Sequence, residues 1–245
     1  MNTTTAYAVF INALTLIRGL TGDGLRMDVD AVPLFRWQRH TDTQTTLHDE
    51  AVVHARKPSD VLRALCSLPP GKEHYITTVN DPSEMCHEYE QAGYACMFTE
   101  WLMVRPLTEL LEAVNTDEVK VATLADVPRL IQNDAEDRPW IWPQTAAHPA
   151  IHSYYIWRGG QVAARAWCWQ QDASTSYVSH VFTHPDHRRK GLAQQVVLRL
   201  LQDCAVRGEQ WSVLASTVAG EPLYRTLGYE SLGEILVFAP KMTRA

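Results

Sequence analysis

Apolar positions recur along the chain with two periods, near 3.6 and near 2, and the switches between them mark its elements. Residues 6–20 are mostly apolar and read as a buried helix that stops in the cluster Gly19-Leu20-Thr21-Gly22-Asp23-Gly24. This run is too short to span a bilayer and no basic residues precede it, so neither a membrane span nor a leader is expected. The glycines read as a turn rather than a phosphate loop, because no strong strand precedes them and 25–30 does not continue as a helix. Between 31 and 53 the pattern is weak: 34–38 alternates briefly like a strand, and the Thr-rich run 41–46 is loop-like. Pro58-Ser59-Asp60 then opens a helix with Val61, Leu62, Leu65 and Leu68 on one face, stopped by Pro69-Pro70-Gly71. A strand is predicted over 74–79. Asp81-Pro82 begins a helix carrying Met85, Cys86 and Tyr89 toward Gly93, and 94–104 is a long aromatic strand closed by Pro106.

The stretch 106–118 is partly acidic, with Glu109, Glu112 and Asp117, and reads as a connector. Beyond it 119–124 alternates like a strand, and Asp126 is the expected N-cap of a helix running to about Ala135. An aromatic loop follows, in which Pro139, Trp140, Trp142 and Pro143 sit beside Asp134, Glu136, Asp137 and Arg138. Two aromatic, β-branched runs, 152–158 and 161–170, are joined by Gly159-Gly160 as a hairpin. Then come a strand over 176–183, a helix over 191–206, a strand over 211–216, a short helix over 220–227 stopped by Gly228, and a last strand over 235–238.

Composition narrows the class. With 245 residues, 46% apolar and 20% charged, the chain suits a soluble globular protein of two modest domains. A formal net charge of −6 argues against nucleic acid or an anionic membrane as partner, since either asks for a basic face. The five cysteines, Cys66, Cys86, Cys96, Cys168 and Cys204, are odd in number, widely spaced and without a CxxC pair. They suggest neither a disulfide framework nor a metal site, and a reducing cytoplasm is the expected compartment. Cys168, between Trp167 and Trp169, reads as inert.

One stretch carries specific chemistry: Thr183-His184-Pro185-Asp186-His187-Arg188-Arg189-Lys190-Gly191-Leu192-Ala193. A strand ends at a proline, the chain turns through a basic segment, and a helix begins at a glycine. Backbone N–H groups at a helix start have no partner within the helix, and the aligned peptide dipoles leave partial positive charge there, so the arrangement suits a pyrophosphate. Gly191 permits close approach of the backbone, and the small Ala193 keeps that side open.

Two motifs in this half resemble those of the GNAT superfamily of acyl-CoA-dependent N-acyltransferases. The first is the turn Arg188, Gly191, Ala193 after Pro185; the second is Leu223-Tyr224 with Leu227-Gly228-Tyr229 downstream. The resemblance covers about 119–240 and implies an α/β (α+β) fold, a mixed, mostly antiparallel sheet flanked by helices. It implies that Val181, Phe182 and Thr183 hold the pantetheine arm and thioester of acetyl-CoA. It also implies that Arg188 is a cofactor-binding residue and that Arg189, Lys190, Gly191, Leu192, Ala193 and Gln194 after it wrap the pyrophosphate. The family's usual asparagine contact falls on Thr217, and its usual carboxylate base falls on Ser212. Tyr224 matches the phenol that protonates the leaving thiolate, a step that collapse of a tetrahedral intermediate requires.

A general base is then sought elsewhere, with His180, Asp134, Glu136 and Asp137 as candidates, and Trp140 and Trp142 either line an acceptor pocket or cap the core. The spacing Tyr89-Glu90-Gln91-Ala92-Gly93-Tyr94 repeats that of Tyr224 to Tyr229, and suggests a truncated GNAT-like unit without a cradle over 1–107, a connector over 108–118 and the acetyltransferase domain over 119–245. The expected function is transfer of an acetyl group to a primary amine, either a small molecule or a protein N-terminus or lysine, by a monomer or homodimer. A CoA-binding sensor without turnover is the alternative.

Overall fold

The structure, a computed structural model, describes residues 1–21, 24–40, 45–67, 73–81, 83–108, 115–134 and 140–241. Outside them lie Gly22 and Asp23 of the predicted turn, part of the Thr-rich run, Leu68 and the Pro69-Pro70-Gly71 stop, Pro82, Glu109 and Glu112, Ala135, Arg138, Pro139, and the base candidates Glu136 and Asp137. The chain forms two units that interleave along it. The first takes Met1–Met103, Ala215–Glu221 and Ser231–Ala245, and the second Val104–Leu214 and Pro222–Glu230.

The first unit opens with α1 (Thr3–Thr21), followed by β1 (Gly24–Val29), β2 (Val32–His40), β3 (Thr45–Val53), α2 (Pro58–Cys66), β4 (Glu73–Val79), α3 (Ser83–Gln91) and β5 (Tyr94–Pro106). β1 and β3 go beyond the sequence expectation, and β2 is longer than predicted. The reason is visible in β3, whose polar residues are buried and paired rather than solvated. Asp49 accepts from Arg36 directly across the strand pair at 2.7 Å, and His48 stacks on Trp37 with ring centroids 4.2 Å apart. Glu50 pairs with Arg18, whose guanidinium also lies over the rings of Phe35 at 5.0 Å and Trp37 at 5.3 Å. Such pairing satisfies polar groups that would otherwise be costly to bury, and it erases the alternation a hydropathy reading depends on. The opposite face is apolar: Val32, Leu34, Ala51, Val53 and Ile76 pack with Val61, Ala64 and Leu65 of α2 and Tyr89 of α3. Among the described residues no helix is long and apolar enough to cross a membrane.

The second unit contains β6 (Lys120–Val121), a 3-10 turn (Leu124–Asp126), α4 (Val127–Gln132), α5 (Pro143–Ala147), β7 (Ile151–Arg158), β8 (Gln161–Gln170), β9 (Thr175–Thr183), a second 3-10 turn (Pro185–His187), α6 (Leu192–Val206), β10 (Trp211–Thr217), α7 (Glu221–Thr226) and the start of β11 (Glu230–Pro240). Its strands lie in the order β10-β9-β8-β7-β6, with β9 and β10 parallel and the others antiparallel. The Gly159-Gly160 hairpin forms as predicted, both glycines taking positive φ, at 60° and 84°. α5 falls in what read as aromatic loop. β6 is shorter than expected because Thr123 turns inward, donating its N–H and hydroxyl to Asp126 at 3.0 and 2.7 Å. Asp126 thus stands at the N-cap position of α4, as expected, but its side chain serves the preceding turn, three residues inside the cap that Thr123 makes. The remainder of β11 returns to the first unit and pairs antiparallel with β4, Ile235 opposite Val79 and Phe238 opposite Ile76. There Phe238 meets Tyr89 with ring centroids 5.4 Å apart.

α7 shows why Tyr224, Gly228 and Tyr229 occur together. The N–H of Gly228 donates to the carbonyl of Arg225 at 3.0 Å, and that of Tyr229 to the carbonyl of Tyr224 at 3.0 Å. These are the two bonds of a Schellman helix end, which needs a left-handed residue, and Gly228 supplies it at φ 78°. The motif also places an apolar contact across the same turn, and Tyr224 and Tyr229 make it edge to face at 5.6 Å. Gly93 ends α3 with φ 92° and donates its N–H to Glu90 at 3.2 Å. A Cβ on Gly228 would lie 3.3 Å from the Arg105 guanidinium, whereas one on Gly93 meets nothing within 4 Å. Gly93→Ala should therefore cost about 1–2 kcal/mol, the left-handed penalty alone. Gly228→Ala should cost measurably more, as a larger drop in the urea midpoint at unchanged slope.

Candidate active site

The site is built on β9, which breaks regular pairing on both of its edges. Against β8, Arg165 lies opposite Phe182 and Trp167 opposite Ser179, so two residues of β9, His180 and Val181, face the single Ala166. This two-against-one count is a β-bulge, and His180 takes a left-handed φ of 54° to make it. Against β10, the parallel pairing runs from Thr175 opposite Trp211 to Val178 opposite Leu214 and ends there. Beyond Val178 that edge of β9 is open. The N–H of His184 donates to Ala163 on the β8 side at 3.0 Å, and successive N–H groups of a strand point to opposite sides. The Thr183 N–H thus faces the opened edge.

Arg165 holds the bulge. Its Nη1 donates to the His180 carbonyl at 3.0 Å, its Nε lies 3.0 Å from Asp134 Oδ2, and its guanidinium sits between the rings of Phe182 at 4.8 Å and Trp140 at 5.2 Å. The side chains of the ion pair are 1% and 2% exposed, so this is a buried charge pair sealed by two aromatic faces. Asp134, a base candidate by sequence, is engaged as the partner of a cation. Arg165 itself escaped the sequence reading, although an arginine inside the apolar strand Val162-Ala163-Ala164-Arg165-Ala166-Trp167 is a signal: a charge at a core position requires a partner.

The His180 ring stacks on Trp167 at 4.9 Å, meets the edge of Trp142 at 6.4 Å, and its Nδ1 lies 3.0 Å from the Ser179 hydroxyl. Burial, and then the Arg165 guanidinium, push its pKa down from the ordinary 6.5 to about 4. The ring is neutral at neutral pH. Trp140 is buried against Arg165, while Trp142 is half-buried beside His180. The indole N–H groups of Trp140 and Trp167, both buried, have no hydrogen-bond partner among the described residues.

The cradle follows β9. Arg189 and Gly191 both take left-handed φ, 60° and 72°, and bracket Lys190. The first backbone bond of the helix is from Gln195 N–H to the Gly191 carbonyl at 3.1 Å, and among the described residues no backbone carbonyl receives an N–H from residues 189–194. A Cβ on Gly191 would meet nothing within 4 Å, so open space lies over these donors. Two of the basic side chains turn back to the loop. Arg188 Nε donates to the Thr183 carbonyl at 3.2 Å and Lys190 Nζ to the Asp186 carbonyl at 2.8 Å. Leu192 is buried and anchors the first turn, with Ala193 and Gln194 half-buried beside it.

Tyr224 belongs to the same unit. Burial raises its pKa, so the phenol is protonated, and among the described residues nothing hydrogen-bonds its hydroxyl. Ser212, where the resemblance expects a carboxylate, is buried and hydrogen-bonded to the Tyr229 hydroxyl at 2.7 Å. Thr217 falls in the first unit at the end of β10, where its hydroxyl accepts from the Gly220 N–H at 3.2 Å. Cys168 is buried with its sulfur 3.9 Å from that of Cys204.

The fold that carries this bulged strand and turn has counterparts among known proteins. Residues 153–237, from β7 into β11, match the family model described as FR47-like protein. The GCN5-related N-acetyltransferase from Kribbella flavida superposes with a TM-score of 0.60 at 18% identity, covering 94% of this chain and 95% of that one. A putative acetyltransferase of the GNAT family from Novosphingobium aromaticivorans gives a TM-score of 0.55 at 20% identity over 96% and 97% of the two chains. The chain has the GNAT fold. A GCN5-related N-acetyltransferase-like protein from Streptococcus suis shares it with a TM-score of 0.54 at 16% identity, covering 88% of each chain. No curated protein matches the sequence significantly. The mixed sheet flanked by helices and the GNAT resemblance carried by the two motifs thus stand.

The depressed His180 pKa has a signed consequence. Between pH 6.5 and about 4 the unfolded chain holds a proton on this ring that the folded chain lacks, so stability is full above 6.5 and falls as the pH drops through that window. The His180 ring resonances should titrate with a midpoint near 4 in NMR; a midpoint above 6 would contradict the buried, guanidinium-flanked environment.

Proposed function

We propose that the protein is an N-acetyltransferase that moves an acetyl group from acetyl-CoA to a primary amine by direct attack within a ternary complex. The observation that carries this reading is the run of backbone N–H groups over 189–194 with no backbone acceptor and open space above Gly191. Such donors at the start of a fifteen-residue helix fit a pyrophosphate and little else of similar size. In this reading residues 189–194 bind the pyrophosphate chiefly through the backbone. Val181, Phe182 and Thr183 receive the pantetheine arm along the opened edge of β9, as a strand receives an extended partner. Acetyl-CoA supplies an activated acyl group as a thioester; the chain supplies its placement.

Attack by the amine places negative charge on the carbonyl oxygen, and an N–H directed to the opened edge of β9 is the donor available to it. Tyr224, a phenol whose pKa burial raises further, donates its proton to the departing sulfur. His180 keeps its place as the candidate proton acceptor beside Trp142, but a pKa of about 4 makes it a weak base. The site therefore suits an acceptor that enters as the free amine, and the rate should rise with pH through the acceptor's own pKa. The acceptor class, a small amine or a protein N-terminus or lysine, a cytoplasmic setting, and a truncated GNAT-like unit over 1–107 belong to the same proposal.

Calorimetry with acetyl-CoA tests the cradle. Wild type should bind, and Gly191→Ala should weaken binding at least tenfold while lowering stability by only about 1–2 kcal/mol, the left-handed penalty. Absence of binding by wild type at millimolar acetyl-CoA would remove the basis of the reading. Tyr224→Phe should lower kcat by about 10²–10⁴-fold, the usual contribution of a positioned acid, with the acetyl-CoA Kd unchanged. Equal turnover by the two proteins would take Tyr224 out of the chemistry.

A further inference from the structure

We propose that Arg165, fixed by Asp134, is a positioning residue for acetyl transfer: it ties the His180 carbonyl to the β8 side of the bulge and so keeps the following N–H groups of β9 aimed at the opened edge. The inference rests on the acetyltransferase reading and adds to it a residue that neither motif contains.

The argument starts from strain. A histidine at φ 54° is in the left-handed region, which a non-glycine residue enters at a cost, and it stays there only when its surroundings hold it. What holds it is the bond from Arg165 Nη1 to its carbonyl, 3.0 Å long. Arg165 in turn has little freedom. It stands on β8 directly opposite Phe182, its guanidinium is stacked between Phe182 and Trp140, and its Nε is 3.0 Å from Asp134. One planar group therefore joins the segment carrying Asp134 and Trp140 to the strand that carries the bulge, using a separate part of its fork for each. A lysine offers one ammonium and cannot meet Asp134, the His180 carbonyl and two ring faces together.

If the carbonyl of His180 were released, the bulge could relax toward regular pairing. Because successive N–H groups alternate between neighbours, a one-residue change of register would turn the Val181 and Thr183 donors from one edge to the other. Binding of the pyrophosphate, made by 189–194, should not feel that change, whereas the step that places charge on the thioester oxygen should. The pantetheine contacts of Val181 and Thr183 weaken with it, so the expected signature is an uneven split: kcat falls more than the affinity for CoA does.

Arg165→Met alone leaves a buried carboxylate unpaired and is expected to fold poorly, so the decisive protein is the double variant Arg165→Met with Asp134→Leu, in which no buried charge is stranded. Wild type, Arg165→Lys and the double variant are compared in three measurements: CoA affinity by calorimetry, release of CoA from acetyl-CoA with whichever amine wild type uses fastest, and backbone amide NMR. In both variants kcat should fall by about 10–100-fold, less than or comparable with loss of a whole oxyanion donor, and CoA affinity should fall by a smaller factor, because the pyrophosphate contacts of 189–194 remain. The amide resonances of Val181 and Thr183 should move while those of 191–194 stay. A double variant with wild-type kcat and unmoved Val181 and Thr183 amides would overturn the proposal and reduce the pair to core packing. Wild type that binds no acetyl-CoA would instead sink the acetyltransferase reading, and the amide resonances would still decide whether Arg165 holds the bulge.

Discussion

A guanidinium cannot be left unpaired in a protein interior, and the arrangement around β9 follows from that requirement. Arg165 is buried, so it must find a carboxylate, acceptors and ring faces within reach, and it finds Asp134, the His180 carbonyl, Phe182 and Trp140. Each partner is thereby fixed in turn. Asp134 and Trp140, which flank the segment 135–139, are anchored to β8; His180 is kept in a conformation it would not choose; Phe182 is held flat against the cation. The same charge, together with burial, depresses the His180 pKa. One buried cation thus links the geometry of the bulge to the protonation state of the ring beside it.

The cradle obeys a different logic, in which side chains are secondary. Arg188 and Lys190 spend hydrogen bonds on the carbonyls of Thr183 and Asp186, folding the turn rather than reaching outward. What faces the open space is backbone, arranged by two left-handed residues, Arg189 and Gly191. A chain with net charge −6 can therefore present a local anion site without a basic surface, because partial charges on aligned N–H groups do not enter the net count.

These two logics explain what could be read from the sequence. The turn from β9 into α6 was legible because it depends on the order of a few residues along one stretch, a strand end, Pro185, Gly191 and an apolar helix face, all local. β3 was not, because its polar residues His48, Asp49 and Glu50 meet Trp37, Arg36 and Arg18, partners as many as 32 positions away. Arg165 was missed for the same reason, its carboxylate and carbonyl partners lying on two other segments. Tyr224 was singled out by motif, but its burial, which raises the phenol's pKa, is something spacing does not report. Asp134 was one of four candidate bases by composition, and its pairing with Arg165 could not be read there, since a carboxylate near a site looks the same in sequence whether it takes protons or neutralises a cation.

The likeness of Tyr89–Tyr94 to Tyr224–Tyr229 shows how far a local pattern can carry. Both segments end a helix at a glycine with positive φ, and both glycines donate to the carbonyl three residues back. From there they part. Tyr224 turns to Tyr229 across its own helix end, whereas Tyr89 packs on Phe238 of β11 and Tyr94 hydrogen-bonds His74 of β4 at 2.6 Å. A helix that must stop before a strand selects glycine, and a buried stop selects large apolar neighbours, wherever it occurs. The six-residue spacing is therefore accounted for by helix termination in both places. What sets the second apart is that Tyr224 shares its unit with the bulge of β9 and the cradle, and that among the described residues nothing hydrogen-bonds its hydroxyl.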